Sequence, residues 1–172
     1  MVNIKKPMSD NDIKNFCKRN NLQYHMIDLS ELNKDFNNLS EKYYFVFTGD
    51  KEDEYNNGNT HHFILNIGNH YFDSYGNIEN LKVPSELKLL KTHPRQLQEF
   101  YNVHKDSVCG EYCCLFLKCI EDNQKENIEK IPYIFVDEYG LGKDRHENDE
   151  IIAQAFTDLE TESDSSSDDE AN

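Results

Sequence analysis

Apolar positions along this chain change their period, and the changes mark its elements. From Cys109 the apolar or small residues Cys109, Cys113, Phe116, Leu117 and Ile120 recur at i, i+4, i+7, i+8 and i+11, the stripe of an amphipathic or buried helix. Asp106 and Ser107 stand where helix caps belong. Tyr43 to Phe47, YYFVF, is an aromatic and β-branched run that predicts a buried strand. A polar segment, Thr48 to Thr60, reads as an exposed loop and leads to HHFILNIGNHYFDSYG, His61 to Gly76. There two apolar-rich runs flank Gly68-Asn69, the signature of a two-residue hairpin turn.

If Ile67 and His70 close that turn, Asn66 faces Tyr71, Ile64 faces Asp73, and His62 faces Tyr75. Alternation then puts His62, Ile64, Asp73 and Tyr75 on one face and His61, Phe63, Leu65, Ile67 and Phe72 on the other. His62 and Asp73 become diagonal cross-strand neighbours within reach of a hydrogen bond. A slip of one residue would transfer the pairing to His61.

The remaining patterns describe scaffold. Ser9 with Asp12, followed by Ile13, Phe16 and Cys17, predicts a capped helix ending near Asn20 and Asn21. Leu29, Leu32, Phe36 and Leu39 form a weaker helical stripe. Pro84 to Lys91, with Leu87 and Leu90, predicts a short helix. Arg95 to Phe100 is open between helix and strand. Glu121 to Lys130 is a charged connection, and Tyr133 to Val136 is a short apolar segment before a loop around Gly140 and Gly142. Asn148 or Asp149 is expected to cap a last helix bearing Ile151, Ile152, Ala155, Phe156 and Leu159.

At 172 residues the chain is expected to be one domain, residues 1–160, followed by an acidic tail at 161–172 that has nothing to bury and should be disordered. Net charge is −15, and Glu160 to Asn172 holds six acids and no base. The acidic body argues against a phosphate-neutralising surface, so nucleic-acid binding is not expected. With no apolar run after Met1 or of membrane-spanning length, neither secretion nor membrane association is expected. Five cysteines, four of them within eleven residues, make a poor disulfide framework and suit a reducing compartment.

A thiol at a helix start gains from the free amides and dipole there, which favour the thiolate. Gly110 beside it leaves room for a substrate backbone. Together with an imidazole on one strand and a carboxylate on the next, this is the part set of a Cys-His-Asp hydrolase. Cys109 would be the nucleophile, His62 its base, and Asp73 the group that fixes the imidazole. The oxyanion of the reaction needs a side-chain amide besides the Cys109 N–H. Asn102, seven residues upstream, is the nearest candidate, with Gln96 and Gln98 as alternatives. The spacing C-x3-C-C-x4-C lacks the paired knuckles of a structural zinc site, so no metal or other cofactor is expected.

The order His, Asp, amide, Cys resembles the adenovirus protease (adenain) family, in the clan that also holds the SUMO-specific proteases. The resemblance is carried by His62-Phe63, by Phe72-Asp73-Ser74-Tyr75-Gly76, and by Ser107 to Leu117, SVCGEYCCLFL, over roughly residues 9 to 120. It implies an α+β fold, a papain-like or adenain-like arrangement in which a mixed central β-sheet is flanked by helices. It also implies cleavage of capsid or other structural precursor polypeptides near glycine during virion maturation. Small proteases of this kind occur in virophages and polinton-like viruses, which implies a virion and host-cytoplasmic (viral factory) location. A monomer is expected. Phe63 stands where the family usually has Trp, and Asn102 where it usually has Gln. Two other enzymes share these parts, a deconjugating isopeptidase for ubiquitin-like modifiers and an acyltransferase. A capsid-associated binding protein with a vestigial triad is the non-enzymatic alternative.

Overall fold

The computed structural model describes residues 8–48, 62–78, 81–99 and 108–169, with the side chains of His62, Phe63 and residues 163–169 outside that description. It is an α+β structure built on an open, mixed sheet of five strands in the order β1-β2-β3-β4-β5. These are His25–Asp28 (β1), Tyr43–Thr48 (β2), His62–Ile67 (β3), His70–Phe72 (β4) and Lys88–Leu89 (β5). The central three are antiparallel, and β1 and β5 join the two sides in parallel.

The hairpin forms in the expected register, Ile67 opposite His70 and Leu65 opposite Phe72, with Gly68 at φ +58° in the turn. It ends sooner than expected. β4 stops at Phe72, so Asp73 and Tyr75 are not strand partners of Ile64 and His62, and His62 pairs instead with Thr48 of β2. The cause is local. Asp73 folds its carboxylate onto the backbone N–H of Tyr75 (2.9 Å) and its carbonyl accepts from Gly76 N (2.9 Å), so the chain turns out of the sheet.

Alternation gives the sheet two apolar faces. Tyr43, Phe45, Leu65 and Phe72 join the main core, while Tyr44, Val46, Ile64 and Tyr71 join a second cluster with Ile27, Leu32 and Leu87. Against the main face lies α3 (Cys109–Asp122), in which ten of fourteen residues are buried. Phe72 stacks on Phe116 with ring centroids 4.0 Å apart, and Phe135 meets both rings edge-on. Cover comes from α1 (Asp10–Arg19), α4 (Ile131–Tyr139) and α5 (Arg145–Asp169), while α2 (Leu29–Asp35) serves the second cluster.

Helix α1 carries the expected capping box, with Ser9 and Asp12 exchanging bonds of 2.9 and 3.2 Å. The apolar segment around Tyr133 belongs to α4, which ends at Gly140 in the left-handed region. The helix expected over Pro84 to Lys91 is a turn followed by β5. Leu87 enters the second cluster and Leu90 the main core, so a spacing of three that suits one face of a helix here serves opposite faces of a sheet. Asn148 and Asp149 do not cap α5, because Asp144 takes that place and accepts from Glu147 N at 3.1 Å. Helix α5 continues to Asp169, into the acidic segment. Among the described residues no helix is long and apolar enough to cross a membrane.

Candidate active site

Cys109 is the first residue of α3, and the first intrahelical bond runs from Tyr112 N to the Val108 carbonyl at 3.0 Å. The amides of Cys109, Gly110 and Glu111 therefore precede the bonded ladder and give this end of the helix its partial positive charge. The cap position belongs to Val108, which offers no side-chain bond, and Asp106 and Ser107 lie outside the described residues. Gly110 does not open space for a substrate. A Cβ there would meet the side chain of Met8, so the missing methyl lets the start of the described chain pack onto α3.

The Cys109 thiol, 1% exposed, donates to Oε1 of Gln98 at 3.1 Å. Gln98 is equally buried, and every polar group it has is engaged. Its Oε1 also accepts from Ser74 Oγ (2.5 Å), and its Nε2 donates to the Tyr75 hydroxyl (3.2 Å). Its backbone N–H donates to the Ser74 carbonyl (3.0 Å), and its own carbonyl accepts from Gln96 Nε2 (2.9 Å). The amide beside the sulfur is thus Gln98 rather than Gln96, while Asn102 lies outside the described residues.

The Asp73-Ser74-Tyr75-Gly76 turn makes that cradle. Asp73 shapes it, and Ser74 and Tyr75 hold the two ends of the Gln98 amide. Gly76, at φ +78°, sits where a Cβ would run into the Arg95 carbonyl. Both hydroxyls can donate or accept, so each can pair with the amide in either orientation. A half-turn of the amide presents N–H to Cys109, which matches the sulfur once it is a thiolate acceptor.

Burial holds three of the neighbouring thiols in their protonated form. All five cysteines are buried and none forms a disulfide. Burial pushes Cys113 well above the usual thiol range, and the negative charges that Cys109, Asp73 and Glu111 can carry add to it. Burial and a bond with Cys17 do the same for Cys114, and burial beside Glu138 raises Cys119 to about 12. These three stay protonated and serve as small core residues. Glu111, next to the helix start, is raised to about 8 by burial, against a lowering bond to its own backbone N–H, so it adds little negative charge near the sulfur at neutral pH.

Asp73 is 3% exposed, and its charge is felt at Cys113, one helical turn beyond Cys109. His62 heads β3, and its imidazole lies outside the described side chains. The structure therefore joins Cys109 and the Asp73 turn through Gln98. Ser74 and Tyr75 were visible in the sequence only as neighbours of Asp73, and their role depends on where Gln98 comes to lie. Among the described residues no group of three His, Cys, Asp or Glu side chains could hold a metal ion. No protein-family model matches the chain, and no curated protein or solved structure matches it.

Proposed function

We propose that this chain is a cysteine endopeptidase of papain-like or adenain-like architecture, acting on capsid or other structural precursor polypeptides of a virus. The observation that carries the reading is the buried 3.1 Å contact between the helix-start thiol of Cys109 and the Gln98 amide, itself gripped by Ser74 and Tyr75. A side-chain amide fixed beside a nucleophilic sulfur is what acyl transfer needs to receive an oxyanion.

In this reading His62 takes the proton from Cys109 and returns it to the leaving amine, with Asp73 holding the imidazole in the right tautomer. Sulfur attacks the scissile carbonyl, whose oxygen moves to the Cys109 N–H and the Gln98 Nε2–H, with the amide in its rotated state. Water then releases the acyl group.

The test is incubation of the purified chain with its cognate capsid precursor, followed by intact-mass analysis. Cleavage is expected from the wild type and from His61→Ala, and is expected to disappear in Cys109→Ala and His62→Ala. Cleavage that survives Cys109→Ala would refute the nucleophile. Strong labelling by a ubiquitin-type C-terminal electrophile, with the precursor left intact, would assign the site to deconjugation instead.

A further inference from the structure

We propose that Asn148 and Asp149, on the first turns of α5, are positioning residues that set Gln98 against Cys109. The proposal rests on the peptidase reading for its consequence in turnover, although the geometry stands without it.

The strip Leu97 to Glu99 belongs to no helix or strand, so nothing in a backbone ladder fixes where Gln98 sits. On one side the Ser74 carbonyl accepts from both Leu97 N and Gln98 N at 3.0 Å. On the other side, among the described residues, side chains of α5 hold the strip. Asn148 Nδ2 donates to the Leu97 carbonyl (3.0 Å), and Asp149 Oδ2 accepts from Glu99 N (3.3 Å). The two bonds flank Gln98 directly. Asn148 is anchored in turn, its amide closing on both the N–H and the carbonyl of Gly142 at 2.8 Å each. Both residues are buried, at 1% and 6% exposure.

Asp149 also reaches the other half of the site. Its Oδ1 accepts from the Tyr112 hydroxyl at 3.0 Å, and Tyr112 stands three residues after Cys109 on α3. The same hydroxyl lies 3.4 Å from the Leu97 carbonyl. One carboxyl group therefore ties the helix that carries the sulfur to the strip that carries the amide.

Burial raises Asp149 to about 7, against the lowering effects of Tyr112, the Glu99 N–H and His146, with Glu99 and Glu111 the acidic neighbours. The network accommodates either form. Protonated at Oδ1, Asp149 donates to the Tyr112 hydroxyl, which donates to Leu97, while Oδ2 keeps Glu99. An asparagine in this place can make the same bonds.

The experiment reads Gln98 directly, as the side-chain amide pair in 15N–1H spectra that Gln98→Ala removes. Asp149→Ala and Asn148→Ala are expected to move that pair toward free-amide shifts and to lower kcat at least tenfold with KM little changed. Asp149→Asn is expected to retain both. Tyr112→Phe, which removes one oxygen only, supplies a folded variant if the alanines do not fold, and is expected to move the pair in the same direction. Gln98 resonances that stay in place in folded Asp149→Ala or Tyr112→Phe would overturn the proposal. Displaced resonances in a chain whose wild type cleaves no precursor would sustain the positioning role and refute the peptidase reading instead.

Discussion

Replacing Glu111 by glutamine tests whether the start of α3 lies in as dry a setting as its packing indicates. Its Oε2 is buried with no hydrogen-bond partner among the described residues, and burial raises the carboxyl from 4.5 to about 8. A group whose folded pKa lies above its unfolded one holds its proton in the native state after the unfolded chain has released it. Stability is therefore complete below about 4.5, falls as pH rises toward 8, and is level beyond. At about 1.4 kcal/mol per pH unit the full displacement amounts to about 5 kcal/mol. Partial exposure of the residue to solvent lowers the expected effect to about 3 kcal/mol. Glutamine has nearly the same shape and no proton to lose, so Glu111→Gln removes this slope. Asp149, which titrates in both proteins, cancels in the difference. In urea unfolding at pH 5 and pH 9 the variant should be close to wild type at the lower pH and more stable by about 3 kcal/mol at the higher. A stability difference that does not change with pH would mean that Glu111 ionises as a solvated carboxylate, and the picture of a dry helix start would fail.

The packing and the turn can each be checked in the same way. Phe116→Ala removes the ring stacked on Phe72 at 4.0 Å and met by Phe135, and should cost about 3–5 kcal/mol in urea unfolding. A loss under 1 kcal/mol would contradict the tight core behind the site. Gly76→Ala puts a Cβ at φ +78° against the Arg95 carbonyl, so it should lose at least about 1–2 kcal/mol from the backbone conformation alone. It should also shift the Gln98 side-chain amide signals, since Ser74 and Tyr75 are carried by the same turn, and unmoved signals would detach Gly76 from the cradle.

What could be read in advance followed from strong local codes. The Ser9 and Asp12 capping box, the Gly68-Asn69 turn and the helical stripe from Cys109 each specify their backbone with few competitors, and each element is present. Leu87 and Leu90 were ambiguous, because three-residue spacing suits a helix face but equally serves a short edge strand between two cores. Asn148 and Asp149 were misread for a related reason. Such side chains bond any nearby backbone group, and with Asp144 already capping α5 these two turn inward, Asn148 donating to the Leu97 carbonyl and Asp149 accepting from Glu99 N. Within the site, the helix that begins at Cys109 was legible, whereas Asp73 was placed on a strand and stands instead in the turn that leaves it. Gln98 was ranked below Asn102 because it stands eleven residues before Cys109 rather than seven, and sequence distance along a loop says little about distance in space.

The oxyanion role proposed for Gln98 can be tested by removing one methylene. Gln98 reaches Ser74 Oγ, the Tyr75 hydroxyl and Cys109 Sγ from a backbone already bonded to Ser74, so its side-chain length is fixed by three partners at once. Asparagine at this position carries the same chemistry on a stem shorter by about 1.5 Å, a typical carbon–carbon length. It can keep at most part of the set, and a buried donor left without its partner costs about 1–3 kcal/mol. Turnover in Gln98→Asn should therefore fall by about 10²–10³, the cost of losing one oxyanion donor, although the amide is retained. Alkylation of Cys109 by iodoacetamide creates no oxyanion, so it should slow far less. A Gln98→Asn enzyme that cleaves at the wild-type rate would remove Gln98 from the oxyanion role and return it to Asn102. Equal losses in cleavage and alkylation would show that Gln98 acts on the state of the sulfur and not on the carbonyl oxygen.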